Sequence, residues 1–518
     1  MRALISVYDK TDIIDLAMGL HDLGWEIVSS GGTARVIRKA GIPVIDTEEI
    51  TGFPAILGHR VMTLHPNIHG GLLGIPDDPE HQADMAEYGI EMFDLMVGNL
   101  YPFGADPSAF AHGGGAAEDL IDIGGPAMIR AAAKNHAYVG VVTSPDQYKA
   151  VLDELKADGQ LSAETRLWLA REAFAMTAAY DAAVVTHYDA AESFPSSIHL
   201  TLRKAGPSLQ YGENPHQGAA LYKFDGTSPW WDNIRNFSDE GARKPGYLNI
   251  FDGDAGLQIT YDLANLYPDK PNCVIIKHAN PCGLAVADTQ EEAYRLALSC
   301  DPKSAFGGIV VFNQPLKPTT AEIMADKDKS PQADVVIAPE FIDVAAITLR
   351  KRRKQTRILM APAPTPATWL FRQVDGGFLV QEPFTFEVAR EDMQVVTERQ
   401  PTEAEWQDAL LAHRLSYWGT SNTIALVKDG VLWGLGVGQQ NRVDSGMLAS
   451  RKANSRAAGG ACGSDAFYPF PDGIEEAYVS GAAVVIQPGG SVKDEECIAK
   501  ADELDMAMIF TGERHFKH

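Results

Sequence analysis

Short apolar runs alternate with amphipathic stretches along the whole chain, and most of the runs end in a polar turn. In the first 150 residues the strand-like runs are Ala3–Val7, Trp25–Val28, Pro43–Ile45, Asp94–Val97 and Tyr138–Val142. Helix-period stretches fall between them at Asp12–Leu23 and Ala34–Ala40. Short buried runs separated by helical segments predict parallel strands joined by crossover helices, which confines the chain to α/β architectures. The spacing then predicts a helix over 163–188 with Leu167, Leu169, Phe174 and Tyr180 on its core face. Strand-like runs resume at Cys273–Ile276, Gly308–Phe312, Val335–Ala338, Thr423–Val427, Ala482–Ile486 and Met506–Phe510. Between the two series the polar stretch Asp189–Pro207 marks the expected boundary, and no strong internal repeat is visible. With 518 residues, and about 150 per folding unit, the chain has room for three or four units.

The charge balance narrows the partners. Lysine and arginine number 44 against 69 acidic residues, a net charge of −25. Nucleic acid and anionic membrane surfaces both require a basic footprint, so neither is expected as a partner. Small anionic substrates need only a few local cations. The 5 cysteines are scattered without a Cys-x-x-Cys pair, which fits a reduced cytoplasm better than a disulfide framework. No apolar run approaches a membrane span, and Met1–Val7 is too short for a signal h-region.

Chemistry-bearing residues cluster at the ends of the predicted strands, where α/β sheets hold ligands. Lys277-His278-Ala279-Asn280-Pro281-Cys282-Gly283 follows Cys273–Ile276, and Asn-Pro before Gly reads as the turn that ends that strand. An imidazole can take a proton near neutral pH, and an ammonium beside it can steady developing negative charge. Ser29-Ser30-Gly31-Gly32-Thr33 joins a strand to a helix and serves equally as a phosphate cradle or as a plain tight turn. Asp122 precedes Gly124-Gly125 at a helix start, with Lys134 toward the helix end. That pair reads either as proton-transfer chemistry or as a cap and a dipole partner. Further polar loops are Arg60–Pro66, Asn99-Leu100-Tyr101-Pro102, Tyr211-Gly212-Glu213-Asn214, Ser304–Gly308, Gly436–Arg442 and Ser464–Phe470. The basic run Arg350–Lys354 reads as a solvated helical face, and Pro362–Pro366 as a loop. Pro281-Cys282 resembles half of a zinc deaminase signature, but position 285 is Ala285 where the second cysteine belongs, so no metal is expected.

In this order, these segments resemble the bifunctional purine-biosynthesis family that joins AICAR transformylase to IMP cyclohydrolase. The resemblance runs from Ala3–Val7 through Ser30–Ala34, Asn99–Phe103, Ala131–His136, Tyr211–Asn214, Lys277–Gly283 and Ser304–Gly308 to Arg514–His518. It implies a methylglyoxal-synthase-like parallel-sheet cyclohydrolase domain over residues 1–190. Residues 200–518 would then form the transformylase, built from two cytidine-deaminase-like α/β subdomains without zinc. The implied reactions are formyl transfer from 10-formyltetrahydrofolate to AICAR, then closure of formyl-AICAR to IMP, in a cytoplasmic homodimer with transformylase sites at the subunit interface.

The resemblance also implies roles. His278 would act as base on the AICAR amine, Lys277 would stabilise charge on the transferring group, and Asn422 would hold the formyl oxygen or His278. Tyr211, Gly308, Gln439, Arg442 and Arg514 would contact AICAR or its phosphate, while Phe306, Asp465 and Phe467 would border the folate. For ring closure, Asp122 and Lys134 would handle protons and oxyanion charge with help from Tyr101. Ser30, Gly31, Gly32, Thr33 and Arg60 would hold the phosphate end.

Three positions depart from the family pattern. Met62 stands where a lysine is usual, a lost charged contact that can cost about 2–4 kcal/mol in the transition state. Gln210 replaces an arginine and Thr420 a frequent lysine. Three readings follow: a working bifunctional enzyme, a transformylase with an impaired cyclohydrolase, or a nucleotide-binding homologue without turnover.

Overall fold

Every strand expected from the apolar runs is present, with ends shifted by a residue or two. The computed structural model describes residues 1–57, 61–101, 103, 121–189, 192–224, 227–232, 235–236 and 245–518. The chain divides into compact units Met1–Leu202 and Arg203–His518, a division that falls inside the polar stretch Asp189–Pro207.

Unit 1 opens with β1 (Arg2–Val7), α1 (Ile13–Asp22), β2 (Glu26–Ser29), α2 (Gly31–Lys39) and β3 (Ile45–Asp46). It continues through α3 (Thr47–Thr51), α4 (Pro66–Leu73), α5 (Pro79–Tyr88), β4 (Leu95–Asn99), α6 (Gly124–Lys134) and β5 (Gly140–Val142). Two helices, α7 (Tyr148–Asp158) and α8 (Ala163–Tyr188), complete it. The five strands are all parallel in the order β3-β2-β1-β4-β5, as short apolar runs with helical crossovers require. The order reverses between β1 and β4, so their C-terminal ends flank the crevice where such sheets bind ligands. The core face of α8 differs from the one expected. Leu169, Ala170, Ala173, Thr177 and Tyr180 are buried, whereas Leu167 and Phe174 are exposed. The small residues Ala170, Ala173 and Thr177, at i, i+3 and i+7, bring this face close against α6, and the larger side chains project away from it.

Unit 2 begins with β6 (Leu202–Lys204), β7 (Tyr222–Phe224) and β8 (Arg235–Asn236). A first series follows: α9 (Tyr247–Leu266), β9 (Asn272–Lys277), β10 (Asn280–Val286), α10 (Gln290–Cys300), β11 (Ile309–Phe312), α11 (Pro318–Ala325), β12 (Val335–Ala338), α12 (Asp343–Arg352) and β13 (Arg357–Met360). The exposed hairpin β14 (Leu370–Val374) and β15 (Gly377–Gln381) and the short β16 (Gln394–Val395) intervene. A second series has the same order: α13 (Glu403–Trp418), β17 (Ile424–Lys428), β18 (Val431–Gly436), α14 (Arg442–Ala453), β19 (Ala461–Ser464), α15 (Asp472–Val479), β20 (Val484–Gln487), α16 (Asp494–Glu503) and β21 (Ala507–Phe510).

The two series are a structural duplication that the sequence does not announce. In each, the first strand pairs antiparallel with the second and third, and the third, fourth and fifth run parallel. The halves join through the antiparallel neighbours β10 and β18 into one 12-stranded sheet. Gly283 of β10 and Gly434 of β18 occupy matching places. A Cβ on either would collide with the backbone oxygen of Ala297 or Ala449 on the helix that follows, so glycine is required where helix and strand approach this closely.

Two local readings change. The turn after β9 is His278-Ala279, both at positive φ, and Asn280-Pro281 already begins β10. The pairing of Asn280 with Lys277 leaves only two residues for the turn, which sets a primed hairpin rather than a loop built on Asn-Pro. The basic run is not wholly solvated: Arg353 is buried, donating to the carbonyls of Met324, Asp326 and Ser330. Pro362–Pro366 lies outside every helix and strand.

Candidate functional site

In unit 1 the expected residues gather at the C-terminal edge of the sheet. Ser30 precedes α2, and Gly31 takes the positive φ of 55° that its tight turn needs. Amides at this helix start are available to an anion. The Thr33 hydroxyl is already used, donating to Val7 O at 3.0 Å and accepting from Val7 N. At the end of β4, Asn99 Oδ1 accepts from Tyr8 N at 2.7 Å and Asp9 N at 2.9 Å, and the Tyr8 and Tyr101 rings lie 4.9 Å apart. Asp122 accepts from Gly125 N at 2.8 Å, and its own N–H donates to the Tyr180 hydroxyl. Burial pushes the Asp122 carboxyl above the usual range, and burial with the nearby Asp122 charge does the same for the Tyr101 phenol.

No described contact joins Lys134 to this group. It is exposed at the C-terminal end of α6, and ten helical steps put it about 15 Å along the axis from Gly124. Arg60 lies outside the described residues. Met62 does sit at the site, its Cε 3.6 Å from where a Gly31 Cβ would stand. Sequence reasoning missed Lys10, whose Cε lies 3.9 Å from the corresponding point on Gly32. It lies in the turn just past β1, the same strand-end signal that marked the other residues.

In unit 2, Lys277 Nζ donates to Phe306 O at 3.0 Å and Gly307 O at 3.1 Å, which pins the ammonium beneath the turn that leads into β11. His278 is exposed beside it, as a base needs to be, and the Phe306 ring is 65% exposed. Gly308 is buried against the backbone of Ile276 and Ala305, a packing position.

The second half contributes a buried polar knot. Arg442 opens α14 and donates to Asn422 Oδ1 at 2.7 Å, Asp465 Oδ1 at 2.8 Å and Phe467 O at 3.1 Å. Asn422 Nδ2 donates to Gln439 O at 2.9 Å, so the Gln439 backbone fixes the amide. Asp465 is fully buried, and its other oxygen accepts from the Ser421 hydroxyl and Thr423 N. It therefore supports Arg442 and Ser421 from beneath instead of bordering a ligand. The C-terminal segment closes over the knot: His515 N donates to Asp465 O, and Ser421 N to Lys517 O. Arg514, exposed, is carried on that segment and lies over Phe516. Lys517, which sequence reasoning missed, sits 4.5 Å from the Trp418 ring, and burial lowers its ammonium to about 8.

Asn280 links the two sets. Its Nδ2 donates to His278 O at 3.0 Å, and its Oδ1 accepts from Thr420 N at 3.2 Å. The Lys277-His278 turn of the first half thus stands beside the Asn422–Arg442 knot of the second. The opposite end of the duplicated sheet has neutral counterparts. Gln290 opens α10 where Arg442 opens α14, and Asn313 follows β11 where Asp465 follows β19. The arginine–aspartate pair of α14 and β19 therefore has no charged counterpart at the matching positions of α10 and β11. No described contact joins Tyr211 to it. Among the described residues no group of His, Cys, Asp and Glu is arranged to hold a metal ion.

A two-unit α/β protein with polar sites at strand ends is the class this geometry defines. The MGS-like domain pattern matches residues 12–127, and the AICARFT/IMPCHase bienzyme pattern matches residues 132–452. The chain belongs to the AICARFT/IMPCHase bienzyme family. It is 46% identical over 540 aligned residues to the bifunctional purine biosynthesis protein PurH of Cereibacter sphaeroides, covering 100% of this chain and 98% of that one. The PurH proteins of Parvibaculum lavamentivorans and Mesorhizobium japonicum are each 45% identical, covering 100% of this chain and 97% of theirs. A solved structure titled "Crystal structure of ForH" aligns with 36% of this chain and 98% of its own at 39% identity, with a TM-score of 0.33. Family membership makes the protein a bifunctional AICAR formyltransferase and IMP cyclohydrolase, acting in the last two steps of de novo purine biosynthesis.

Proposed function

We propose that unit 2 carries formyl transfer and unit 1 ring closure, with 10-formyltetrahydrofolate as formyl donor and no metal. The observation that carries the first assignment is the Asn280 bridge, which sets the Lys277-His278 turn beside Asn422 and Arg442. The AICAR amine attacks the formyl carbon while His278 takes its proton. The bond from that carbon to the folate nitrogen breaks, and the nitrogen leaves protonated. Lys277 steadies charge on the transferring group, and Asn422, held by Arg442, offers an N–H to the formyl oxygen. Arg442, Arg514 and Tyr211 bind AICAR, and the Phe306 and Phe467 rings border the folate. The two α/β series are read as zinc-free cytidine-deaminase-like subdomains, in keeping with Ala285 in place of a second cysteine.

For ring closure, the carboxamide nitrogen attacks the formyl carbonyl, and the formyl oxygen leaves as water with one proton from the carboxamide and one from the formylamino N–H as the C=N bond forms. Asp122, whose carboxyl burial pushes above its ordinary range and so makes a stronger base, takes the carboxamide proton. Tyr101 assists at the oxyanion, and the Ser30–Thr33 amides with Lys10 and Arg60 hold the phosphate. The part of Lys134 rests on the resemblance alone, and a Lys134→Met protein that closes the ring at the parent rate removes it.

We place the enzyme in the cytoplasm as a homodimer. The five free cysteines fit a reduced compartment, and a partner subunit would account for a Tyr211 that no contact among the described residues joins to the site. The test is a product assay with AICAR and 10-formyltetrahydrofolate that resolves formyl-AICAR from IMP. IMP with little free intermediate is the expected result. Accumulating formyl-AICAR would instead support the reading in which Met62 has impaired the cyclohydrolase.

A further inference from the structure

The two hairpin turns of the duplicated sheet are held in the same way. After β9 the turn residues are His278 (φ 53°) and Ala279 (φ 57°), and after β17 they are Asp429 (φ 52°) and Gly430 (φ 75°). Positive φ costs a residue with a side chain about 1 kcal/mol or more, so such turns usually contain Asn or Gly. The second turn has its glycine, whereas the first has none and depends more on outside support. In each, an aspartate at the sixth position of the preceding helix accepts from the turn backbone. Asp252 of α9 accepts from Ala279 N at 2.8 Å, and Asp408 of α13 accepts from Asp429 N and Gly430 N, both at 3.0 Å. One turn presents His278 to the charged knot. The other presents Asp429, paired with its neighbour Lys428, at the opposite end of the sheet.

We propose that Asp252 is a positioning residue for formyl transfer: its carboxylate holds the His278-Ala279 turn in the left-handed conformation that aims the imidazole at the site. This rests on His278 being the base. Asp252 touches neither substrate nor reacting atoms in this scheme; it acts through the turn backbone. Asp408 does the same structural work at the inert end and is a built-in control.

The experiment compares Asp252→Ala, Asp252→Asn, Asp408→Ala and His278→Ala in the full chain. Steady-state formyl transfer, closure of supplied formyl-AICAR and thermal melting are read for each. Asp252→Ala is expected to lower kcat for formyl transfer about 10- to 100-fold, with KM for AICAR and the closure rate near the parent values. Asp252→Asn, which keeps an acceptor oxygen, is expected to restore kcat to within about threefold of the parent. Asp408→Ala should melt earlier yet transfer formyl at the parent rate per folded molecule. If Asp252→Ala does not fold, Asp252→Glu takes its place, since it moves the acceptor by one methylene and carries the same expectation. Parent kcat in the Asp252→Ala protein, or an Asn variant as slow as the Ala variant, overturns the proposal while an inactive His278→Ala leaves the base assignment standing. A fully active His278→Ala would remove the base assignment itself.

Discussion

Arg442 Nη2 lies 2.8 Å from Asp465 Oδ1, with the arginine side chain 9% and the aspartate side chain 1% exposed. The same guanidinium donates to Asn422 Oδ1 and Phe467 O, so one fork serves three acceptors from different loops. A buried ion pair adds little net stability but is costly to break, because the remaining charge is left in a poor solvent.

Arg442→Lys is therefore expected to fail. An ammonium is a point charge without the planar fork and cannot meet all three acceptors. Asp465 would keep Ser421 and Thr423 as donors, and the Asn422 amide would keep only its bond to Gln439 O. Formyl transfer should fall at least about 100-fold, with a stability loss of about 3 kcal/mol in urea titration. A lysine variant that transfers formyl at the parent rate would show that Asn422 needs no anchor.

Met62→Lys tests the departure in unit 1. Met62 packs against Gly31, so a lysine there projects its ammonium over the amides that are proposed to hold phosphate. Closure of formyl-AICAR should accelerate by about tenfold or more, because a cation near developing charge contributes about 2–4 kcal/mol. An unchanged closure rate would mean that Lys10, already beside Gly32, supplies the needed charge.

The strands of unit 1 and the main strands of unit 2 were legible in the sequence because each is an uninterrupted apolar run bounded by turn residues. The strands β10 and β18 were not. Pro281 and Gly283 read as breakers, and Gly434 and Gly436 leave β18 little apolar signal, although at Gly283 and Gly434 glycine is what lets a helix approach. Losing those two strands hid the duplication from the apolar pattern, so two subdomains were expected from the family resemblance alone. At the site, residues on strand ends could be found, since chemistry-bearing side chains there stand out. The burial of Asp465 and the supporting role of Asp252 depend on which loops converge, and no local pattern encodes that. Lys134 shows the converse: twelve residues from Asp122 in sequence, it is separated from it by a rigid helix.

Gly283→Ala and Gly434→Ala form a matched pair. Each added methyl meets a helix backbone oxygen, which cannot rotate away as a side chain would. Both should cost about 3 kcal/mol or more in urea titration, the upper end of overpacking. Both strands also reach the site: β10 leaves the His278 turn, and β18 leads into the Gln439–Arg442 loop that holds Asn422. Each variant should therefore also lower formyl transfer per folded molecule. Parent-rate formyl transfer in either would argue that its strand tolerates displacement.

Acid should destabilise unit 2 from about pH 6.5 downward. His515 is buried, its Nε2 2.9 Å from the Ser416 hydroxyl, and its ring centroid is 4.7 Å from that of the buried His413. Burial lowers His515 to about 4, and burial together with the neighbouring His515 lowers His413 well below its usual value. Both histidines are thus neutral in the folded chain at pH 6, while in the unfolded chain they take up protons near pH 6.5. The unfolded state then binds more protons, so stability falls as pH drops from about 6.5 toward 4 and levels off below the folded pKa. For His515 alone this amounts to roughly 3 kcal/mol across the window. The urea midpoint of the full chain should fall between pH 7 and pH 5, and His515→Gln, which retains a partner for Ser416 but does not titrate, should flatten that slope. A slope unchanged by His515→Gln would mean that the ring is already protonated in the folded chain and that the surrounding aromatic side chains tolerate its charge.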